Sequence, residues 1–293
     1  TSIFYRFFGG DELIVRLPGA LFGSLTILAI FLFVLSLLEN KKIALYASFF
    51  TAIAPFELFF SRKSFENGAG ILLMLIGFSI LLMHIKKKLS IRWVYLVPFI
   101  FSFTVYTYFS HAIILPLVLF IFIFIFKKHF FPSWRRYLLP LILFLIFYSP
   151  VIILTMTNPD ISYRSKTVFI KQDVKLGEQI NFTKTGNHFL DSLFESKVLL
   201  DFSFTRYLSQ FNPIYLFGNG LDLTNQGILG AGPLYLFQLP LLMLGITYLV
   251  KLRQKNLEIK FVFFWIVIGM VPSGLTFEPS SPHRVIMVFT MLN

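Results

Sequence analysis

The densest chemistry in the chain lies at 61–67, Ser-Arg-Lys-Ser-Phe-Glu-Asn, on the edge of an apolar stretch. Arg62 and Glu66 are four residues apart, so on a helix they share one face. A guanidinium oriented by a carboxylate suits a bound phosphate; the same pair also suits an interfacial salt bridge at a helix start. Pro282-His283-Arg284, with Glu278 just upstream, is a second group. A His and an Arg at a helix start can clamp phosphate together with the helix N-terminus, or they can anchor lipid headgroups. In Tyr106-Thr107-Tyr108-Phe109-Ser110-His111, Tyr108 and His111 could stack on a sugar or belong to an interfacial aromatic belt. Asp11, Glu12 and Arg16 read as the membrane edge before Leu17-Pro18. Glu57, near the outer end of an apolar run, is an outlier expected to face a cavity.

Soluble-enzyme motifs are missing. There is no GxSxG, HExxH, P-loop or dinucleotide fingerprint. The histidines at 84, 111, 129, 188 and 283 lack metal-ligand spacing, and cysteine is absent, which excludes thiol catalysis and cysteine metal sites. No cofactor and no metal site is expected; a divalent cation would need a convincing pair of outer carboxylates.

The elements that must position these residues are membrane helices. The 293 residues are 56% hydrophobic and only 14% charged, against about a quarter charged in soluble domains. Phe contributes 39 of them, in runs such as FLFVLSLL that are apolar all round rather than along one stripe. With roughly 20 apolar residues needed per crossing, spans are read at 17–38, 43–60, 68–85, 137–157, 233–250 and 259–277, and a last one starts near 284. The stretch 93–126 is too long for one span and barely enough for two, with Tyr108, Ser110 and His111 at its middle. Charge favours a hairpin. With two spans there, the loops 39–42, 86–92, 127–136 and 251–260 share one side and hold fourteen basic residues against two acids, Glu39 and Glu258. That net of +12 is the whole formal charge of the chain, as the positive-inside bias expects. The charge is thereby explained by topology, and nucleic acid is not an expected partner.

The expected fold class is therefore all-α, a polytopic transmembrane helix bundle with a long extracytoplasmic loop. Residues 1–157 form a region of six spans, 158–232 the outer segment, and 233–293 two spans with the start of a third. Within the outer segment, 189–211 reads as an amphipathic helix lying on the membrane or capping the bundle, and FGNGLDLTNQGILGAGP reads as a Gly-rich lid. Asn181-Phe182-Thr183 matches a glycosylation sequon, a triplet common by chance. The chain opens at Thr1 without a Met or a signal-peptide pattern and ends within an apolar segment, which reads as an internal piece of a longer protein.

The residues resemble a family. Arg16-Leu17-Pro18-Gly19-Ala20-Leu21-Phe22-Gly23, opening a span, is similar to the RLPSALFG start of polytopic glycosyltransferases of family 39. Those are the protein O-mannosyltransferases and lipid A aminoarabinose transferases, with the GT-C fold. The order continues through Pro55, Phe59-Phe60-Ser61-Arg62 and Glu66, then Tyr106-Thr107-Tyr108 with Pro116. Arg206-Tyr207-Leu208, Phe217-Gly218-Asn219-Gly220, Gly232-Pro233-Leu234-Tyr235 and Pro282-His283-Arg284 resemble the later loops. The resemblance implies transfer of a sugar from a polyprenyl-phosphate donor to a hydroxyl on protein, lipid or glycan, at the outer face of a cell inner or plasma membrane. It implies Arg62, His283 and Arg284 as phosphate contacts and Glu66 as their orienting carboxylate. The family's principal acid, often an Asp-Glu pair, sits in the first outer loop, and Asp11-Glu12 is too close to the following span to be equated with it. That acid is therefore expected upstream of Thr1. A transporter or flippase for lipid-linked sugars is the main alternative, and a surface-glycan ligase or polymerase the nearer one. Transporters concentrate ionisable groups and broken helices at the midplane; here span centres are almost purely apolar, which favours surface chemistry.

Overall fold

The computed structural model describes residues 9, 11–63, 67–158, 169–183, 186–218, 231–252, 256–276, 288 and 291–292. These residues are overwhelmingly helical and contain no strand, only an isolated antiparallel bridge between Phe169 and Thr276. The bundle is an all-α polytopic one, with four helical segments among the described residues long and apolar enough to cross a membrane. They are Glu12–Leu38, Asn67–Ile85, Lys127–Thr157 and Leu257–Gly274.

Helix α1 (Glu12–Leu38) runs without a break through Pro18, in its second turn. Helices α2 (Lys41–Ile53) and α3 (Pro55–Arg62) occupy the stretch expected as one straight span, but they meet at a bend of 59°. The cause is Pro55. Its ring excludes the residue before it from helical geometry, and Ala54 is extended at φ −61°, ψ 136°. Helix α4 (Asn67–Ile85) follows. The stretch 93–126 holds the short α5 (Ile91–Val94), α6 (Val97–Thr107) and α7 (Phe109–Ile125). The chain turns between α6 and α7 at Tyr108, extended at φ −155°, ψ 140°. An elbow of α8 (Lys127–Phe130) and a 3-10 turn (Phe131–Ser133) leads into α9 (Trp134–Thr157).

Beyond it lie α10 (Val174–Phe182) and α11 (His188–Ser209), each opened by a side-chain cap: Asp173 accepts from Lys175 and Leu176 N–H, Asn187 from Phe189 and Leu190 N–H. Helix α11 leaves Phe189, Leu193, Leu200, Phe204 and Leu208 exposed at helical spacing, the face an interfacial helix turns to lipid. Then come α12 (Pro213–Phe217), α13 (Gln238–Leu252), α14 (Leu257–Gly269) and α15 (Val271–Gly274). Helix α13 starts five residues later than the span expected from 233, because Gly232-Pro233 keeps the preceding segment irregular.

Aromatic packing fills the centre. Phe78 of α4 is ringed by Phe101, Phe122, Phe261 and Trp265, with centroids 5.0–5.4 Å away. Lipid tails are as apolar as Phe, so this core is held by close contact rather than by escape from water. Gly77 makes one such contact: a Cβ there would lie 2.1 Å from Phe101 Cε1.

The basic loops converge at one end. Lys86 Nζ lies 3.7 Å from Glu39 and 3.6 Å from Glu258, and donates to Leu37 O at 2.7 Å. Lys88 pairs with Glu39 at 2.8 Å. His84 bonds Leu89 O and the Tyr137 hydroxyl, each at 3.0 Å, which brings in the start of α9. The Lys88 hydrogen bond, assisted by the charge of Lys86, holds the Glu39 carboxyl below the usual range.

Candidate functional site

Glycine decides how the opposite end is built. A Cβ on Gly19 of α1 would lie 2.7 Å from Lys63 O, and one on Gly23 would lie 2.5 Å from Ser61 Cβ and 3.3 Å from Glu57 Oε1. Gly19 and Gly23 are one turn apart, so they open a flat strip on α1 against which the end of α3 is pressed. The bend at Pro55 aims α3 at that strip. Phe56 N–H donates to Pro233 O at 3.4 Å, which ties α3 to the segment before α13. Leu234 N–H in turn donates to Leu216 O of α12 at 2.9 Å. Gly232 fits beneath the same turn, where a Cβ would meet Leu216 O at 2.4 Å.

Gly70 repeats the device on α4. A Cβ there would overlap the His111 ring at 2.1 Å and Thr107 Oγ1 at 2.5 Å. His111 is fully buried, and its Nδ1 lies 2.9 Å from Thr107 Oγ1, which donates to Thr104 O at 2.6 Å. With its hydrogen spent on Thr104, the Thr107 oxygen accepts from His111, which assigns the ring proton to Nδ1 and leaves Nε2 an acceptor. Tyr108 meets His111 edge-on at 6.0 Å. Helix α9 is fastened to the same turn by Tyr148, whose hydroxyl donates to Ala112 O at 2.7 Å, and by Tyr106, which donates to Phe147 O at 3.1 Å.

Trp265 Nε1 in the core is buried with no partner among the described residues, but hydroxyls elsewhere in the spans are satisfied locally. Thr26, Ser48, Thr51, Ser79, Ser102 and Thr104 each donate to the carbonyl four residues before. Around the Tyr108 turn this rule fails. Ser110 Oγ and His111 Nε2 on α7, Ser273 Oγ on α15 and Gln210 Oε1 beyond α11 are buried with no partner among the described residues. Helix α15 packs against both α7 and α11, so these atoms belong to one end of the bundle. Glu57 joins them: it is 6% exposed and, among the described residues, its carboxyl has neither a hydrogen bond nor an ion pair. A buried carboxyl without partners is costly to keep, and such groups mark functional sites more often than stabilising ones. Sequence reasoning flagged Glu57 through its charge in an apolar run. Ser110, Gln210 and Ser273 gave no signal beyond being polar.

Asp173 and Arg206 pin the outer segment down. The two form a salt bridge with side chains 7% and 14% exposed, and Arg206 also donates to Thr276 O at 3.2 Å. Burial pulls the Arg206 guanidinium below its ordinary value, while Asp173 acts to keep it charged. Ile170 N–H donates to Leu275 O at 3.1 Å beside this pair.

Of the residues singled out from sequence, Arg62 ends α3 exposed, Tyr108 forms the half-buried turn, and His111 lies inside the bundle beneath it. Arg16 pairs with Glu12 on the surface of α1. Glu66, Glu278, His283, Arg284 and most of the Gly-rich lid lie outside the described residues. Among the described residues no group of His, Asp or Glu is gathered for a metal.

Residues 1–154 match the family model of dolichyl-phosphate-mannose-protein mannosyltransferase. The chain belongs to that family. The match covers α1 to α8 and most of α9, and so takes in the glycine strip, the bend at Pro55 and the Tyr108 turn. No curated protein and no solved structure matches it. The dolichyl-phosphate-mannose-protein mannosyltransferase family makes this chain a multi-pass membrane glycosyltransferase of the mannosyltransferase type.

Proposed function

We propose that this enzyme moves a sugar from a polyprenyl-phosphate donor to a hydroxyl of a protein, lipid or glycan, with inversion, at the extracytoplasmic face. The carrying observation is a cluster of buried polar groups that, Trp265 in the core apart, have no partner among the described residues. Ser110, His111, Gln210, Ser273 and Glu57 lie at the end of the bundle away from the basic loops. The positive-inside bias makes the basic end cytoplasmic, so these groups face outwards.

In this reading the acceptor oxygen bonds to the anomeric carbon as the bond from that carbon to the donor phosphate breaks. The hydroxyl proton passes to a carboxylate, and polyprenyl phosphate leaves. Charge develops on the departing phosphate and, oxocarbenium-like, on the sugar. Arg62, at the exposed end of α3, supplies a cation to the phosphate with His283 and Arg284, and Glu66 orients them. Tyr108 offers its ring to the sugar, with His111 as the buried support that fixes it. Protein is the acceptor class that the family name supports.

The test is transfer from dolichyl-phosphate mannose to a Ser/Thr-containing peptide in proteoliposomes of the full-length enzyme. Losing one cation that stabilises transition-state charge costs about 10²–10³ in rate, so Arg62→Ala and Arg284→Ala should each fall into that range. Unchanged donor use in both variants would remove the phosphate assignment.

A further inference from the structure

At the basic end, a cavity of about 220 Å³ opens between α4, α6, α7, the α8 elbow and α9. Its walls are apolar: Leu81, Phe101, Leu119 and Ile123 form the floor, and Phe130 and Trp134 stand at the elbow. The polar wall residue Tyr137 has its hydroxyl engaged by His84. Such a cavity has nothing with which to hold water. It lies beside α9, whose apolar stretch is only 11% buried inside the bundle, so the helix closing one side is bathed in lipid.

The rim is cationic and aromatic. Lys127 and Lys128 are exposed on the elbow, and Arg135 and Arg136 on the first turn of α9, beside Phe131 and Trp134, which are 67% and 54% exposed. Lys127 Nζ sits 5.3 Å from the Phe124 ring centre and Arg135 Cζ 6.0 Å from that of Trp134. Arg92 and the half-exposed Trp93 flank Val94, a wall residue on the other side. Among the described residues none of these five cations has a carboxylate within ion-pair distance. The two acids of this end are both engaged elsewhere, Glu39 by Lys86 and Lys88, and Glu258 by Lys86. Four clustered cations without protein counter-charge, at the mouth of a dry apolar cavity, match one chemistry: an anionic headgroup carrying a hydrocarbon chain.

We propose that this end holds an anionic phospholipid of the cytoplasmic leaflet, with an acyl chain in the cavity and its phosphate on those four cations. The lipid fills the space between α6 and α9 that side chains leave open. This site lies across the membrane from the one proposed for sugar transfer and is independent of it.

Three tryptophans report on it: Trp93 and Trp134 stand at the rim, and Trp265 is sealed in the core at 1% exposure. The full protein is reconstituted in phosphatidylcholine vesicles with a minor fraction of chain-brominated phosphatidylglycerol, or with the same fraction of brominated phosphatidylcholine. Quenching by the phosphatidylglycerol should exceed that by the phosphatidylcholine, and the excess should shrink with added salt. A surface cation contributes about five-fold to anionic-lipid affinity, so Arg135→Gln with Arg136→Gln should weaken the phosphatidylglycerol preference by more than ten-fold. Leu119→Phe fills the cavity without touching charge and should lower quenching at saturation. Equal quenching by the two lipids would overturn the proposal, as would an unchanged preference in the double Gln variant. Displacement of the brominated lipid by stoichiometric dolichyl phosphate, but not by excess phosphatidylglycerol, would also overturn it.

Discussion

Gly70→Ala is the sharpest test of how the candidate site is held. The new methyl carbon would sit 2.1 Å from His111 Cε1, 2.2 Å from Nδ1 and 2.5 Å from Thr107 Oγ1. Ordinary carbon contacts are near 3.5–4.0 Å, so the overlap exceeds an ångström on three atoms at once. His111 has no exposed surface through which to swing away, and moving its ring breaks the 2.9 Å bond to Thr107. Overpacking of this kind costs about 1–3 kcal/mol, and here the upper end applies. The lost hydrogen bond adds about 1 kcal/mol. Alanine's better helix propensity returns about 1 kcal/mol. The net expectation is a loss of about 3 kcal/mol.

The measurement is denaturant unfolding in micelles for Gly70→Ala, His111→Ala and the double variant. Removing the imidazole gives the methyl group room, so the double variant should recover about 2 kcal/mol relative to the sum of the singles. Gly245→Ala in α13 is the control: nothing lies within 4 Å of its Cβ, so it should be neutral or slightly stabilising. Unfolding of Gly70→Ala together with the wild type, or simple addition of its cost and that of His111→Ala, would refute the close contact between Gly70 and the His111 ring.

Arg206→Ala strands the buried Asp173 carboxylate and should cost about 3 kcal/mol; hydrogen exchange at Ile170 N–H should quicken together with that in α10. Glu39 has a depressed titration range, so its contribution is present at neutral pH and lost as pH falls through that range. The melting-temperature gap between wild type and Lys88→Met should therefore narrow on acidification below the ordinary carboxylate range, and a constant gap would refute the pairing. Glu57→Gln removes an ionisable group that has no partner among the described residues, so melting should hold or rise while sugar transfer falls; full transfer would take Glu57 out of the site.

Much of the bundle is legible because lipid is a uniform solvent. Runs such as FLFVLSLL at 31–38 are apolar all round, which suits a helix whatever its neighbours, and α1 and α4 lie where those runs do. The turn at Tyr108 sits at the polar middle of 93–126, where charge balance needs a reversal. The bend at Pro55 is less legible, because the apolar run crosses it unbroken and hydropathy carries no information about backbone direction. The unsatisfied atoms of Ser110, Gln210 and Ser273 are not legible at all. A hydroxyl on a membrane helix ordinarily bonds back to its own carbonyls, as Ser79 and Ser102 do, and only the packing of α7, α11 and α15 decides that these do not.

The glycines show why a motif can be recognisable before it is understood. Arg16-Leu17-Pro18-Gly19-Ala20-Leu21-Phe22-Gly23 reads as a signature, yet two of its eight residues meet the candidate site by having no side chain. Gly19 and Gly23 let the backbone of Lys63 and the side chain of Ser61 rest on α1, on either side of exposed Arg62. Gly70 does the same for the ring under Tyr108. A side chain at any of the three would push α3 or the Tyr108 turn outwards, and phosphate contacts tolerate displacements of well under an ångström. The pattern therefore encodes distance between helices rather than chemistry. In the proposed reaction the phosphate contact falls to Arg62, whose position only that distance makes meaningful.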